Sequence, residues 1–236
     1  EPDTYYALLS MDGDRMGAIL QDSKDKKKAQ ISKTISAFSE SVPSIIKEHD
    51  GRVIYAGGED VFVILPVDTA IDAAVKLKEK YTQLFEPVFD SKEIATISAA
   101  IIFAHHHAPL NKVYNGIQSL LDNKAKDECG RASLAIGTWN TGGPDLIWAM
   151  PWQKFVNDTK GNLMSELAKI FGKSNEAEGI SNSFIYNIRR DVSLFTNNDS
   201  FLSDEEILEL LTAEYIRSRV KSGKELTKEQ VQPYME

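Results

Sequence analysis

The chain has 236 residues, 42% of them hydrophobic and 26% charged, which excludes a disordered or collagen-like protein and supplies apolar material for a substantial core. A formal net charge of -8 argues against a uniformly basic, nucleic-acid-coating surface, although local basic patches remain open. The lone cysteine, Cys129, permits neither an intrachain disulfide nor a cysteine-based zinc cage and fits a reducing, cytoplasmic setting.

The acidic start, Glu1-Pro2-Asp3-Thr4, is not a signal peptide, and its abrupt entry into a strand is expected of a piece of a longer chain. Tyr5 to Met11 (YYALLSM) is dense enough in apolar residues for a buried strand and ends in Asp12-Gly13-Asp14. Lys24 to Lys28 reads as a solvated loop or helix face. Ile31, Ile35, Phe38, Val42, Ile45 and Ile46 recur at spacings of three and four, which predicts an amphipathic helix bent near Pro43 and stopped by Asp50-Gly51. Arg52 to Ala56 and Val61 to Pro66 are β-branched runs separated only by Gly57-Gly58-Glu59-Asp60, a hairpin signature. A helix follows with Ile71, Ala74, Val75, Leu77, Tyr81, Leu84 and Phe85 on its apolar face. Thr96 to Ala104 reads as a strand, Leu110 to about Asp127 as a helix and Ala132 to Thr138 as a strand, with Asp145 to Trp152 a short extra one.

The first six elements, β-α-β-β-α-β, are the split βαβ arrangement, so the fold class is α+β with a ferredoxin-like palm. From Lys154 onward the patterns are helical, and Ser203-Asp204-Glu205-Glu206 is a capping box before Ile207, Leu208, Leu211, Tyr215 and Ile216. The expected domains are a palm over 1–151 and a helical C-terminal domain over 152–236.

In a split βαβ unit the first two strands run parallel, and the hairpin returns the third beside the first. Asp12, at the carboxyl end of the first strand, should therefore meet Glu59 and Asp60 from the hairpin turn at one edge of the sheet. Packed like charges need a neutralising partner, and hard oxygen ligands select Mg²⁺ or Mn²⁺, which leaves coordination positions for nucleotide phosphates. Two such ions suit phosphoryl transfer from a nucleoside triphosphate. Gly13, Gly57 and Gly58 let a nucleotide approach the backbone, and the N–H groups from Asp14 to Gly17 could cradle a triphosphate. Taken alone, Gly-Gly-Glu-Asp is a polar turn and Asp-Gly-Asp a turn or part of a calcium loop; their placement at one sheet edge is what makes them specific. Arg15 reads as a surface residue.

The runs YYALLSMDGDRMG, GRVIYAGGEDVFVILP, ISAAIIFAHHHAPL and LLDNKAKDECGRASLAI, in that order, resemble the second palm domain of the large subunit of type III CRISPR effector complexes, in its Cmr-type form. The likeness spans residues 5 to about 152, and the helical tail suits the domain that follows the palm in that family. More remotely, the palm is similar to diguanylate cyclases and class III nucleotide cyclases. The resemblance implies a nucleotidyltransferase that joins ATP units through 3′–5′ phosphodiester bonds. Its usual product is a cyclic oligoadenylate second messenger of antiviral defence, made when target RNA binds. Asp12 and the Gly13 carbonyl would bind metal, Glu59 and Asp60 would complete the site, and Asp14 would be a weaker member. Lys126 matches a lysine that contacts phosphate in related cyclases; a solvated helix-end lysine is the alternative.

Partners implied by the resemblance are CRISPR RNA, target RNA and the other subunits of the effector complex, with no membrane. The family's usual tetrad is Gly-Gly-Asp-Asp, whereas Glu59 stands at the third position here, so metal binding is expected to survive with altered geometry. The nuclease domain, first palm and zinc-bearing region of the family have no counterpart in this sequence, and the stretch between Gly17 and Ile31 is short. Rival readings are adenylate transfer to an acceptor such as S-adenosylmethionine, a dinucleotide product, or a non-catalytic palm that scaffolds the RNA complex. His105-His106-His107 is read as a packing or nucleotide-edge group rather than a metal site, because successive strand residues face opposite ways. Trp139, Trp148 and Trp152 read as packing between palm and tail. Arg189, Arg190, Arg217 and Arg219 read as exposed helix residues.

Overall fold

Strand β1 (Tyr5–Gly13) runs through a six-stranded sheet of order β2-β3-β1-β4-β5-β6, and everything at the functional edge is placed relative to it. The computed structural model describes residues 4–89, 95–157, 161–165 and 203–220. After β1 come α1 (Met16–Asp22) and α2 (Asp25–Glu48), then the hairpin β2 (Arg52–Gly57) and β3 (Asp60–Leu65), and then α3 (Ala70–Phe85). Strand β4 (Ile97–His105), helix α4 (Leu110–Ser119), β5 (Ser133–Asn140) and β6 (Gly143–Pro151) follow. β1 pairs antiparallel with both β3 and β4, so β1 and β2 point the same way, as a split βαβ unit requires. β5 joins β4 in parallel, and β6 closes that side as an antiparallel edge.

Strand alternation divides the core. Leu8 faces a cluster with Ala100 and Ile102 of β4 and Val113 and Ile117 of α4, with Tyr6 packed against it. Ala7, Leu9 and Met11, all buried, face the opposite side, where α3 packs on β1. Helix α2 buries Ile31, Phe38, Val42, Ile45 and Ile46, the predicted stripe, but it begins at Asp25 and carries Pro43 inside without ending there. The charged run from Lys24 is thus its first turn. Its end is a left-handed cap: Asp50 takes φ 56°, and the Gly51 N–H donates to the Ile46 carbonyl at 2.9 Å.

Two local features bear on the site. The β2–β3 connection is a two-residue turn, Gly58-Glu59, closed by Gly57 opposite Asp60, and Gly58 adopts φ 66°, which suits a hairpin whose first central residue is glycine. Helix α4 does not run on as a regular helix: Leu120–Glu128 is π-helical, with the Cys129 N–H donating to the carbonyl of Lys124. Such widened turns frequently occur at functional sites.

The chain divides into two compact units after Val156, a few residues beyond the expected boundary at Pro151. Helix α5 (Trp152–Phe155) accounts for the difference. Trp152 is buried, and its indole donates to the Ile97 carbonyl at 2.9 Å, which fastens α5 to the palm. Trp139 lies against Gly116 of α4, where a Cβ would come within 2.2 Å of the ring. Both tryptophans therefore pack within the palm itself. In the second unit, helix α6 (Asp204–Val220) starts at the predicted capping box: the Ser203 N–H and hydroxyl both donate to Glu206 Oε2, at 2.7 and 2.8 Å. Arg217 pairs with Glu214. Arg189 and Arg190, with the other helical patterns between 166 and 202, lie outside the described residues. Among the described residues no helix is long and apolar enough to cross a membrane.

Candidate nucleotide and metal site

One step beyond the pairing of Met11 with Val61, Asp12 and Asp60 come opposite each other on adjacent strands and on the same face of the sheet. Their carboxyl groups are close enough to hydrogen-bond. Asp60 is pushed up to about 7, first by loss of solvent around its carboxyl, then by the hydrogen bond its protonated form donates to Asp12 and by the charges of Asp12 and Glu59. Lys126 opposes that shift. Its Nζ sits 2.9 Å from Asp12 Oδ2 and 2.9 Å from Asp122 Oδ1, one helical turn away. Desolvation lowers the Lys126 pKa, but the hydrogen bonds and charges of Asp12 and Asp122 outweigh it, so the net shift is upward and the ammonium stays charged. The π-helical segment thus brings a cation to the acidic pair.

These groups line a cavity of about 440 Å³. Three aromatic residues also line it, Tyr55, Phe62 and Tyr114, beside Ser10, Met11, Val61, Gln118 and Leu121, and Phe62 and Tyr114 are in edge contact at 5.4 Å between ring centroids. Tyr55 and Tyr114 are about half exposed (55% and 45%) although they are big rings, which suits a base-stacking surface. None of the three was anticipated. Tyr55 and Phe62 read from sequence only as strand residues and Tyr114 as part of a helix, and Trp139, Trp148 and Trp152 lie outside this cavity's lining.

Glu59 does not join Asp12 and Asp60 on that face. It belongs to the turn, and its side chain passes over Gly13: a Cβ on Gly13 would meet Glu59 Cβ at 2.8 Å and the Tyr81 hydroxyl at 2.9 Å. Accordingly, among the described residues no three His, Cys, Asp or Glu side chains are grouped closely enough to hold a metal ion. The expected convergence of three carboxylates is corrected to a pair plus a third on the neighbouring side of the strand end. Tyr81, fully buried, is driven above its ordinary pKa by burial and by the charges of Glu59, Asp14 and Asp12.

Asp14 has a different task. It is 4% exposed and accepts hydrogen bonds from Thr96 Oγ1 (2.7 Å), Ser98 Oγ (2.7 Å) and the Ala132 N–H (3.0 Å). Its own N–H donates to the Thr96 carbonyl at 2.8 Å, so one donor of the expected Asp14–Gly17 phosphate cradle is already used. Asp14 lines a second cavity of about 850 Å³ with Arg15 and Arg131, not the cavity of Asp12. There it holds the turn in which Gly130, Arg131 and Ala132 all have positive φ (78°, 74° and 47°). Of the glycines expected to make room for a nucleotide, Gly58 is open, whereas the space beside Gly57 is taken by the Tyr55 hydroxyl, 2.5 Å from where a Cβ would stand.

The histidines sit at the far end of the sheet. His105 pairs in register with Tyr5, and Asp12 with Ser98, so seven residues of strand, about 24 Å, separate them from the acidic pair. A nucleotide-edge role at this site is excluded by that distance. Contrary to the alternation expected, the three rings cluster, with centroids 4.0 to 5.1 Å apart, because β4 ends at His105 and the next two residues form a turn. His105 is shifted downward by desolvation and by its two neighbours.

A ferredoxin-like sheet carrying an acidic pair at the end of β1 and the tip of the β2–β3 hairpin defines a palm domain. Residues 5–135 match the Cas10/Cmr2 second palm domain, and the chain belongs to that family. It is 30% identical over 260 residues to the CRISPR system Cmr subunit Cmr2 of Pyrococcus furiosus, covering 97% of this chain and 28% of that protein. A Cmr2 of Saccharolobus solfataricus is 32% identical over 95 residues, covering 33% of this chain and 9% of that protein. The chain thus spans less than a third of the length of these relatives. Among solved structures, it superposes on a chain of an apo Csm1–Csm4 cassette with TM-score 0.59 at 15% identity, covering 98% of this chain and 35% of that one. A type III-B Cmr-β complex in its apo state gives TM-score 0.57 at 14% identity, covering 92% and 34%. These structural likenesses speak to the fold.

Proposed function

We propose that the chain is the catalytic palm of a nucleotidyltransferase that joins ATP units through 3′–5′ phosphodiester bonds into a cyclic oligoadenylate, as part of a type III CRISPR effector complex with its RNAs and other subunits. The observation that carries the reading is the Asp12–Asp60 pair with Lys126 ion-paired to Asp12, together lining a cavity that also holds Tyr55, Phe62 and Tyr114. A carboxyl pushed up to about 7, first by desolvation and then by neighbouring negative charge that one lysine does not offset, is the kind of perturbed group found at functional sites. That donor set fits a divalent cation: Asp12, Asp60 and the Gly13 carbonyl are hard oxygen ligands, with Glu59 adjacent, and Mg²⁺ or Mn²⁺ ordinarily takes only one or two protein carboxylates.

When bound, one or two such ions supply charge neutralisation for the triphosphate and lower the pKa of an attacking hydroxyl. The protein's own part is positioning. Lys126 offers a cation to a phosphate oxygen, and the rings of Tyr55 and Tyr114 offer a face to a base. The reaction joins a 3′-oxygen of one nucleotide to the α-phosphorus of another, and pyrophosphate leaves. It needs acceptor and donor held together, which makes orientation the larger share of the work.

A scaffold reading is favoured by one observation, the lack of a three-ligand group among the described residues. Mass spectrometry of the products of labelled ATP separates these readings, run on the full chain in its complex with and without S-adenosylmethionine. Oligoadenylate formation that is lost in Asp12→Ala and Asp60→Ala supports the proposal. Adenylate on another acceptor redirects it, and products unchanged by both substitutions overturn it.

A further inference from the structure

Tyr81 presents a hydroxyl that packing does not explain. Its ring stacks on Phe85 at 4.4 Å between centroids and meets Phe38 edge-on at 5.0 Å, an apolar setting in which phenylalanine would serve equally well. The residue is fully buried, and among the described residues its oxygen is the buried side-chain polar atom without a hydrogen-bond partner. Leaving a buried hydroxyl unpaired is costly, so its presence needs a reason. The oxygen points to the end of β1, where it and the Cβ and Cγ of Glu59 crowd the same point above Gly13. The glycine is what lets the two side chains come this close. Glu59, for its part, stands one residue from Asp60 and on the other side of the strand end from Asp12.

We infer that Tyr81 is a positioning residue for Glu59: when a divalent cation enters between Asp12 and Asp60, the unpaired hydroxyl takes one Glu59 carboxylate oxygen as its acceptor and turns the other oxygen toward that cation. The inference rests on the metal and nucleotide reading proposed above and deepens it. A phenol O–H donates and a carboxylate oxygen accepts, and Glu59 is the acceptor because its Cβ and Cγ crowd the same point above Gly13 as the hydroxyl. No bond to the cation is made by Tyr81 itself. It acts through Glu59, whose Cβ and Cγ pass the same point above Gly13 that the hydroxyl faces.

The test measures Mn²⁺ binding to the full chain by titration calorimetry with a non-hydrolysable ATP analogue present, beside a thermal melt without metal. Tyr81→Phe removes one oxygen from an apolar pocket, so the metal-free melting temperature should hold or rise. Mn²⁺ affinity should fall about tenfold, the scale seen when a group supporting a metal ligand is removed. Glu59→Gln should lose affinity by a similar factor, and the double variant should lose no more than the greater single loss. Tyr81→Phe binding Mn²⁺ as tightly as the parent overturns the inference, as do losses that add in the double variant. Asp12→Asn and Asp60→Asn keep the two levels apart. If they lose Mn²⁺ while Tyr81→Phe does not, the inference alone fails; if they bind Mn²⁺ like the parent, the site reading fails and takes the inference with it.

Discussion

The ammonium of Lys126 lies 2.9 Å from Asp12 and equally far from Asp122, so the cation nearest the acidic pair is the protein's own, delivered by a π-helical segment. A phosphate entering the cavity would exchange one anionic partner of this lysine for another. Lys126→Ala should therefore raise the Kd for nucleotide about tenfold, the value of one charge-assisted hydrogen bond, without weakening Mn²⁺ binding in the absence of nucleotide. Calorimetric titrations with Mn²⁺ alone and with Mn²⁺ plus an ATP analogue check both halves.

Asp60 sets a pH dependence. Its carboxyl is pushed up to about 7 in the folded chain, above the ordinary carboxylate range of the unfolded one. Between those values the folded state binds more protons, so this residue's contribution to stability is full below about pH 4 and is lost as pH rises through about 7. The residue as a whole is exposed, which reduces the size of the effect but not its sign. Asp60→Asn should thus stabilise the metal-free protein more at pH 8 than at pH 5. Mn²⁺ affinity of the parent should climb with pH up to about 7 and then level off.

Asp12 and Asp14 are two residues apart in sequence and should behave oppositely. Asp14→Ala leaves Thr96, Ser98 and the Ala132 N–H without their buried acceptor and frees a turn of three left-handed residues. A loss of about 3 kcal/mol in denaturant unfolding is expected. Asp12→Ala removes one of two crowded carboxylates and should cost little stability while abolishing product formation.

Gly13→Ala should damage stability and site together. Its Cβ would stand 2.8 Å from Glu59 Cβ, close to a backbone that cannot yield cheaply, so a cost of about 1–3 kcal/mol is expected. A melting curve and a Mn²⁺ titration on the same sample show both effects.

The sheet was readable because its signals are local. β-branched runs, a glycine turn and helical periodicity each mark their element, and the split βαβ order fixes which strand ends share an edge. Side-chain direction was less readable. Gly-Gly-Glu-Asp looks like one acidic cluster in sequence, but Glu59 is in the turn and Asp60 in the strand, and only the latter shares a face with Asp12. Alternation misled again at His105, where the strand stops and the following histidines fold back. The donors that hold Asp14 come from positions 96, 98 and 132, which no spacing connects. Tyr81 was legible as a core ring; the place of its oxygen depends on how α3 meets the end of β1.

A crystal of the full chain soaked with ATP and Mn²⁺ tests the central claim most directly, because manganese is located by its own anomalous signal. The expected result is manganese about 2.1 Å from oxygens of both Asp12 and Asp60, with triphosphate oxygens completing its shell and Lys126 turned to a phosphate. Manganese bound elsewhere, with Lys126 still paired to Asp12 while nucleotide is in the crystal, would contradict it.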